Sequence, residues 1–220
     1  VLHVSVLFWM VLPLPGYVLV RRLSPDDLRS GLPGTLSLAC FYTFGLLSPV
    51  SILCYVLHAP LWVFSAFVAA AILGATAEIT RRRWWPDIGR LVLAGLCLEL
   101  VVLCVELVVA ARNGSFMGGD ARVHLARIRF LLDHGFSNAD PFVSADCFFP
   151  IYHTNLLHSL FAAATQLMPG DHLVVWFHSL PWATVLLCSG AYYMTWCVFG
   201  RSWPAWAAAL CCLGIRGPFT

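Results

Sequence analysis

Asp120, His124 and Arg127 bring a carboxylate, an imidazole and a guanidinium together at spacings of four and three. On a helix, that spacing puts the three side chains on one face, where they can converge. Such a set could draw a proton from a hydroxyl and steady a negatively charged group. Arg122 and Arg129 add two more cations to the same stretch. A second reading stands beside this one. Asp120 equally suits a helix N-cap, its oxygen accepting from an early amide. Arg127 and Arg129 equally suit contacts with lipid headgroups, and His124 an interfacial position. Asp-x3-His offers two metal ligands from one helix face, but two ligands do not define a site. No cofactor is required by the sequence, and a divalent metal is left open.

The element that must hold these residues can be read from its flanks. Gly118-Gly119 interrupts regular structure, Asp120 suits a helix start and Gly135 a helix end. Ala121, Leu125, Ile128 and Leu132 recur at three and four, predicting an apolar stripe beside the polar face. The expectation is an amphipathic helix at a membrane surface. Beyond it, Pro141 and Pro150 punctuate the return, and Tyr152, His153 and His158 lie at or just inside the next apolar stretch. His153 reads evenly as a ligand contact or as a helix-end residue wetted by headgroups. Asp140 and Asp146 read as turn residues.

The rest of the chain is overwhelmingly apolar. Of its 220 residues, 60% are hydrophobic and 11% charged, and the mean hydropathy is +0.81. A soluble domain carries about a quarter charged residues. About seven apolar segments follow one another, at 1–20, 35–57, 60–79, 91–111, 151–168, 173–199 and 203–214. Most approach the roughly 20 residues needed to cross hydrocarbon. Gly45 and Pro49 invite a kink in the second. The predicted fold is all-α: a polytopic transmembrane helical bundle with four spans over 1–111, a long loop over 112–150 and further spans over 151–220. The chain begins at Val1 and stops just past an apolar run, so it reads as part of a longer protein.

Charge orients this bundle. All 13 basic residues are arginine, and seven of them cluster at 21–29 and 81–90, whereas Arg122, Arg127 and Arg129 in the 112–150 loop weigh mildly against the placement that follows. Two spans separate these loops, so they must share a side, the cytoplasmic one by the positive-inside rule. The loop 112–150 then falls outside. Trp84 and Trp85 fit interfacial anchors. The small net charge of +2 gives no footprint for nucleic acid. Eight of the nine cysteines lie in apolar stretches and read as small hydrophobes; Cys147 alone lies in a long polar loop. Glu99 and Glu106 sit seven apart within the fourth segment. A structural ion pair or a lined groove would account for ionisable groups there.

The run Gly118-Gly119-Asp120-Ala121-Arg122-Val123-His124-Leu125-Ala126-Arg127-Ile128-Arg129 resembles the first external loop of the C-type membrane glycosyltransferases. Pro150-Ile151-Tyr152-His153 is similar to that family's proline-aromatic return into the next span. The stretch Leu14-Pro15-Gly16-Tyr17-Val18-Leu19-Val20-Arg21-Arg22 resembles the start of related bacterial multispan proteins. The resemblance covers roughly 112–160. It implies transfer of a sugar from a polyprenyl-phosphate donor, in a bacterial inner or plasma membrane, to a glycan, lipid or protein acceptor outside. Asp120 matches the family's external-loop aspartate, the base on the acceptor hydroxyl. Arg122, Arg127, Arg129, His124 and His153 are then candidates for substrate binding. Two rival expectations are a transporter or flippase for a lipid-linked or anionic substrate, using Glu99, Glu106 and the external arginines, and a non-catalytic assembly protein for envelope glycans.

Overall fold

The computed structural model describes residues 2–85, 87–90, 93, 97, 100, 104, 119–137, 155–168 and 171–215. Among these, regular structure is entirely helical: α1 (Leu2–Val11), α2 (Leu14–Leu23), a 3-10 turn (Pro25–Ser30), α3 (Gly31–Val56), α4 (Leu61–Arg82), α5 (Gly119–His134), α6 (Leu156–Leu167), α7 (His172–Phe199) and α8 (Ser202–Ile215). Three stretches are long and apolar enough to cross a membrane, Leu28–Val56, Leu61–Arg82 and Trp182–Phe199. Two elements depart from the apolar segments, one of them at a proline. The run 1–20 breaks at Leu12 and Pro13 into two ten-residue helices, because Pro13 has no amide hydrogen to continue the ladder. Within 151–168 only Leu156–Leu167 is described as helix, about 18 Å long and short of the hydrocarbon thickness. α3 runs unbroken through Pro49.

The surface of the described helices is inverted relative to a water-soluble protein. Phe41, Val56, Leu73, Val198 and Trp203 are all about 70% exposed, whereas Thr43, Ser51, Ser65, Ser159, Thr184 and Ser189 are buried. Lipid asks for this arrangement: large apolar side chains outward, small and hydroxyl-bearing ones between helices. Leu93, Cys97, Leu100 and Cys104 are helical and exposed. Their spacings of four, three and four give the fourth apolar segment one outward face. Glu99 and Glu106 lie outside the described residues.

The chain divides into two compact units. One holds the described parts of 9–43, 72–116 and 179–220. There Gly16 lets α2 lie against the backbone of α3: its N–H donates to Thr43 Oγ1 at 2.9 Å. A Cβ at Gly16 would fall 1.8 Å from the Ala39 carbonyl oxygen. Tyr192 packs edge-on against Trp206 across α7 and α8, over Cys188, Ala205 and Ala209. Both arginine-bearing loops belong to this unit and meet. Arg21 pairs with Asp87. Glu78 accepts from Arg22 at 2.6 Å, Arg81 at 2.8 Å and Arg82 at 3.1 Å. Trp84 is only partly exposed, its ring 5.1 Å from the Arg21 guanidinium and edge-on to Tyr17. It is therefore a packing residue, while Trp85 keeps the exposed position expected of an anchor.

The other unit holds 1–8, 44–71 and the described parts of 117–178. It contains α5, α6, the second half of α3 and the first half of α4.

Candidate functional site

α5 opens in the described structure at Gly119, so Asp120 stands in the first turn rather than ahead of it. The side chain of Asp120, like all of His153, Tyr152 and Cys147, lies outside the described residues. The helix ends as its sequence requires. Gly135 has φ of +69° and its N–H returns to the Leu131 carbonyl at 2.9 Å, the glycine C-cap. A side chain at Gly135 would also meet the Ala59 carbonyl oxygen at 3.1 Å. The next amide, of Phe136, donates to that carbonyl at 3.1 Å. The end of α5 is thus fastened to the turn between α3 and α4, and the Phe136 ring fills the space between Tyr55 and Phe64, 4.7 and 5.8 Å away.

The packed face of α5 differs from the predicted stripe. Leu125, Arg127, Ile128 and Leu131 are buried, His124 and Leu132 partly so, and Arg122, Arg129 and Asp133 exposed. At 100° per residue the supposed polar face (Asp120, His124, Arg127) and the supposed apolar face (Ala121, Leu125, Ile128, Leu132) adjoin. Among the described side chains, His124, Leu125, Arg127, Ile128, Leu131 and Leu132 make one broad arc, buried or partly so. Only the opposite strip, with Arg122 and Arg129, faces out.

Within that arc His124 makes the decisive contact. Its Nδ1 lies 2.8 Å from Nε2 of His158 on α6, a hydrogen bond in which one ring donates and the other accepts. His158 is 2% exposed. Trp176 stacks on His124 with centroids 5.8 Å apart and 22° between planes, and touches Phe161 at 5.0 Å. One residue beyond His158, Ser159 Oγ shares a 3.0 Å hydrogen bond with Ser51 of α3. Gln166 Oε1 accepts from Ser65 of α4 at 2.6 Å. α6 is tied to two of the membrane-length helices, α3 and α4, through hydroxyls, and α5 to α6 through imidazoles.

Arg127 is 2% exposed. Its guanidinium donates to the Ser137 carbonyl at 3.1 Å and lies over the Phe130 and Tyr55 rings at 5.2 and 6.0 Å. It therefore braces the helix end instead of meeting headgroups: carbonyl and ring faces replace water around the charge. Arg129 is exposed and its Nε reaches Asp133 at 2.8 Å. Arg122 is exposed and has no ion-pair partner among the described residues. No group of three or more His, Cys, Asp or Glu among the described residues could hold a metal.

No protein-family model, curated protein sequence or solved structure matches this chain. The site must be argued from its own geometry. His158, Trp176 and Ser159 have no role in the sequence pattern. Only the placement of His158 beside the return into an apolar stretch hinted at its location, since 34 residues separate it from His124.

Proposed function

We propose that the chain belongs to an integral-membrane glycosyltransferase that moves a sugar from a polyprenyl phosphate to an acceptor on the non-cytoplasmic side. The observation that carries this reading is the fixing of α5. Its His124–His158 bond, buried Arg127 and Gly135 cap hold a helix whose first turn contains Asp120. A catalytic carboxylate needs such a scaffold, because small errors in position cost rate steeply. Asp120 precedes His124 by one turn in the same register, so the reaction is assigned to the mouth of the α5–α6 contact.

In the proposed step the acceptor oxygen attacks the anomeric carbon and the carbon–oxygen bond to the phosphate breaks. The acceptor proton passes to Asp120, and polyprenyl phosphate departs with the bond's electron pair. Attack from the face opposite the leaving group inverts the sugar. Arg122, exposed near the same first turn and without an ion-pair partner among the described residues, is the guanidinium left free to balance the departing phosphate. The positive end of the helix dipole adds to it. Arg127 is enclosed, and Arg129 is shared with Asp133. His124 positions the helix rather than touching substrate. The transporter reading drew on Glu99 and Glu106, and no described contact favours it.

The membrane is assigned as a bacterial plasma membrane with the arginine-bearing loops inside and 112–150 outside. A strain lacking the protein should lose one envelope sugar modification while the matching polyprenyl-phosphate sugar accumulates. Loss of the modification together with its lipid-linked donor would move the protein upstream and refute transfer.

A further inference from the structure

Independently of that reading, the unit that contains the arginine-bearing loops holds a cavity of about 260 Å³. This far exceeds the roughly 30 Å³ that one water occupies. Its walls come from three places in the chain. α2 supplies Tyr17 and Arg21, the segment after α4 supplies Asp87 and Arg90, and the start of α3 supplies Gly31 and Thr35. Gly31 has φ of +80°. That conformation, open chiefly to glycine, turns the chain from the 3-10 segment into α3 at the cavity edge. The first turn of a 26-residue helix therefore abuts the cavity at the positive end of its dipole.

The lining charges sum to +1, two guanidiniums against one carboxylate. Asp87 is already matched by Arg21. Arg90 is exposed with no ion-pair partner among the described residues. Donors outnumber acceptors. Leu28 and Leu32 line the remaining wall, giving an apolar flank beside the cationic one. An anion with oxygens in several directions fits this set, because guanidiniums favour phosphate.

We propose that this cavity binds a phosphate group, carried either by an anionic lipid headgroup with its chain along Leu28 and Leu32 or by a soluble phosphate. The test uses the purified, delipidated protein in detergent, equilibrated with phosphatidylglycerol, phosphatidylcholine or inorganic phosphate, with bound species counted by native mass spectrometry. Arg90→Gln removes the unpaired guanidinium at an exposed position, and Arg83→Gln removes an exposed arginine of the same loop that does not line the cavity. One phosphatidylglycerol should be retained in preference to phosphatidylcholine, with affinity about tenfold weaker in Arg90→Gln and unchanged in Arg83→Gln. Binding of inorganic phosphate alone, lost in Arg90→Gln, would support the site with a soluble source. Equal losses in both variants would reduce the effect to the general attraction of basic loops for anionic membranes and overturn the proposal. So would retention of neither phosphatidylglycerol nor phosphate.

Discussion

At the scale of single residues, two imidazoles set the energetics of the α5–α6 contact and one guanidinium those of the α5 end against α3. Removing one member of a buried hydrogen-bonded pair strands the other without the water that once satisfied it. His124→Ala and His158→Ala should each lower stability by about 1–3 kcal/mol. The double variant should cost less than the sum, because the shared bond is lost only once. Thermal unfolding of the purified protein in detergent checks this; strict additivity would mean that the two rings do not interact. The asymmetry among arginines is a second residue-scale expectation. Arg127→Gln should destabilise the fold, since Tyr55, Phe130 and the Ser137 carbonyl lose their cation, whereas Arg122→Gln should leave stability within about 0.5 kcal/mol of wild type. The types and spacing of Asp120, His124 and Arg127 were legible in the sequence. Their partners were not. A hydrogen bond from residue 124 to residue 158 leaves no periodic trace, and an arginine buried against aromatic rings has the same letter as one facing headgroups.

At the scale of elements, glycines fix how closely helices approach and where they stop. Gly16 has no room for a methyl group against Ala39, Gly135 has little room and a positive φ, and Gly45 meets nothing within 4 Å. Alanine at these positions should rank accordingly. Gly16→Ala should cost about 1–3 kcal/mol by overpacking, and Gly135→Ala about 1–2 kcal/mol through the left-handed backbone. Gly45→Ala should leave the melting temperature unchanged or slightly raised, since alanine is the better helix former. Melting curves of the three variants in one detergent test the order. The glycine end of α5 could be read in advance because Gly135 follows the last apolar repeat. The packed face could not. The two predicted faces differ by only one residue in register, and an interior polar enough to hold His158, Ser159 and Arg127 does not obey a simple apolar stripe. The split of α1 from α2 had its sign in Pro13, masked by the continuous hydrophobicity around it.

At the scale of the whole molecule, composition foretold an all-helical protein with an apolar exterior, because lipid selects residue type directly. The meeting of the arginine loops follows from counting spans: two spans between them return the chain to the same side. The Arg21–Asp87 and Arg22–Glu78 pairs give that return its contacts. Sidedness is open to direct measurement. Cys147 is the one cysteine in a long polar loop. A membrane-impermeant thiol reagent should label it on intact cells, while Cys97, Cys104, Cys197 and Cys211, on apolar outer faces, should react only with a lipid-soluble maleimide. Labelling of Cys147 only after the membrane is opened would invert the assigned topology and remove the external transferase site with it.

If Asp120 performs the proposed transfer, it does so from a helix held by His124, Arg127 and Gly135. The most direct test of that transfer compares envelope glycans and lipid-linked sugars in cells carrying wild type, Asp120→Asn or His124→Gln, in the full-length protein at matched levels. Asp120→Asn should accumulate with normal stability, lose one sugar modification and build up its polyprenyl-phosphate donor, with His124→Gln partly active and less stable. A glycan profile unchanged by Asp120→Asn, in a protein shown to be needed for that glycan, would contradict the proposed transfer and leave Asp120 as a first-turn residue that complements the helix dipole.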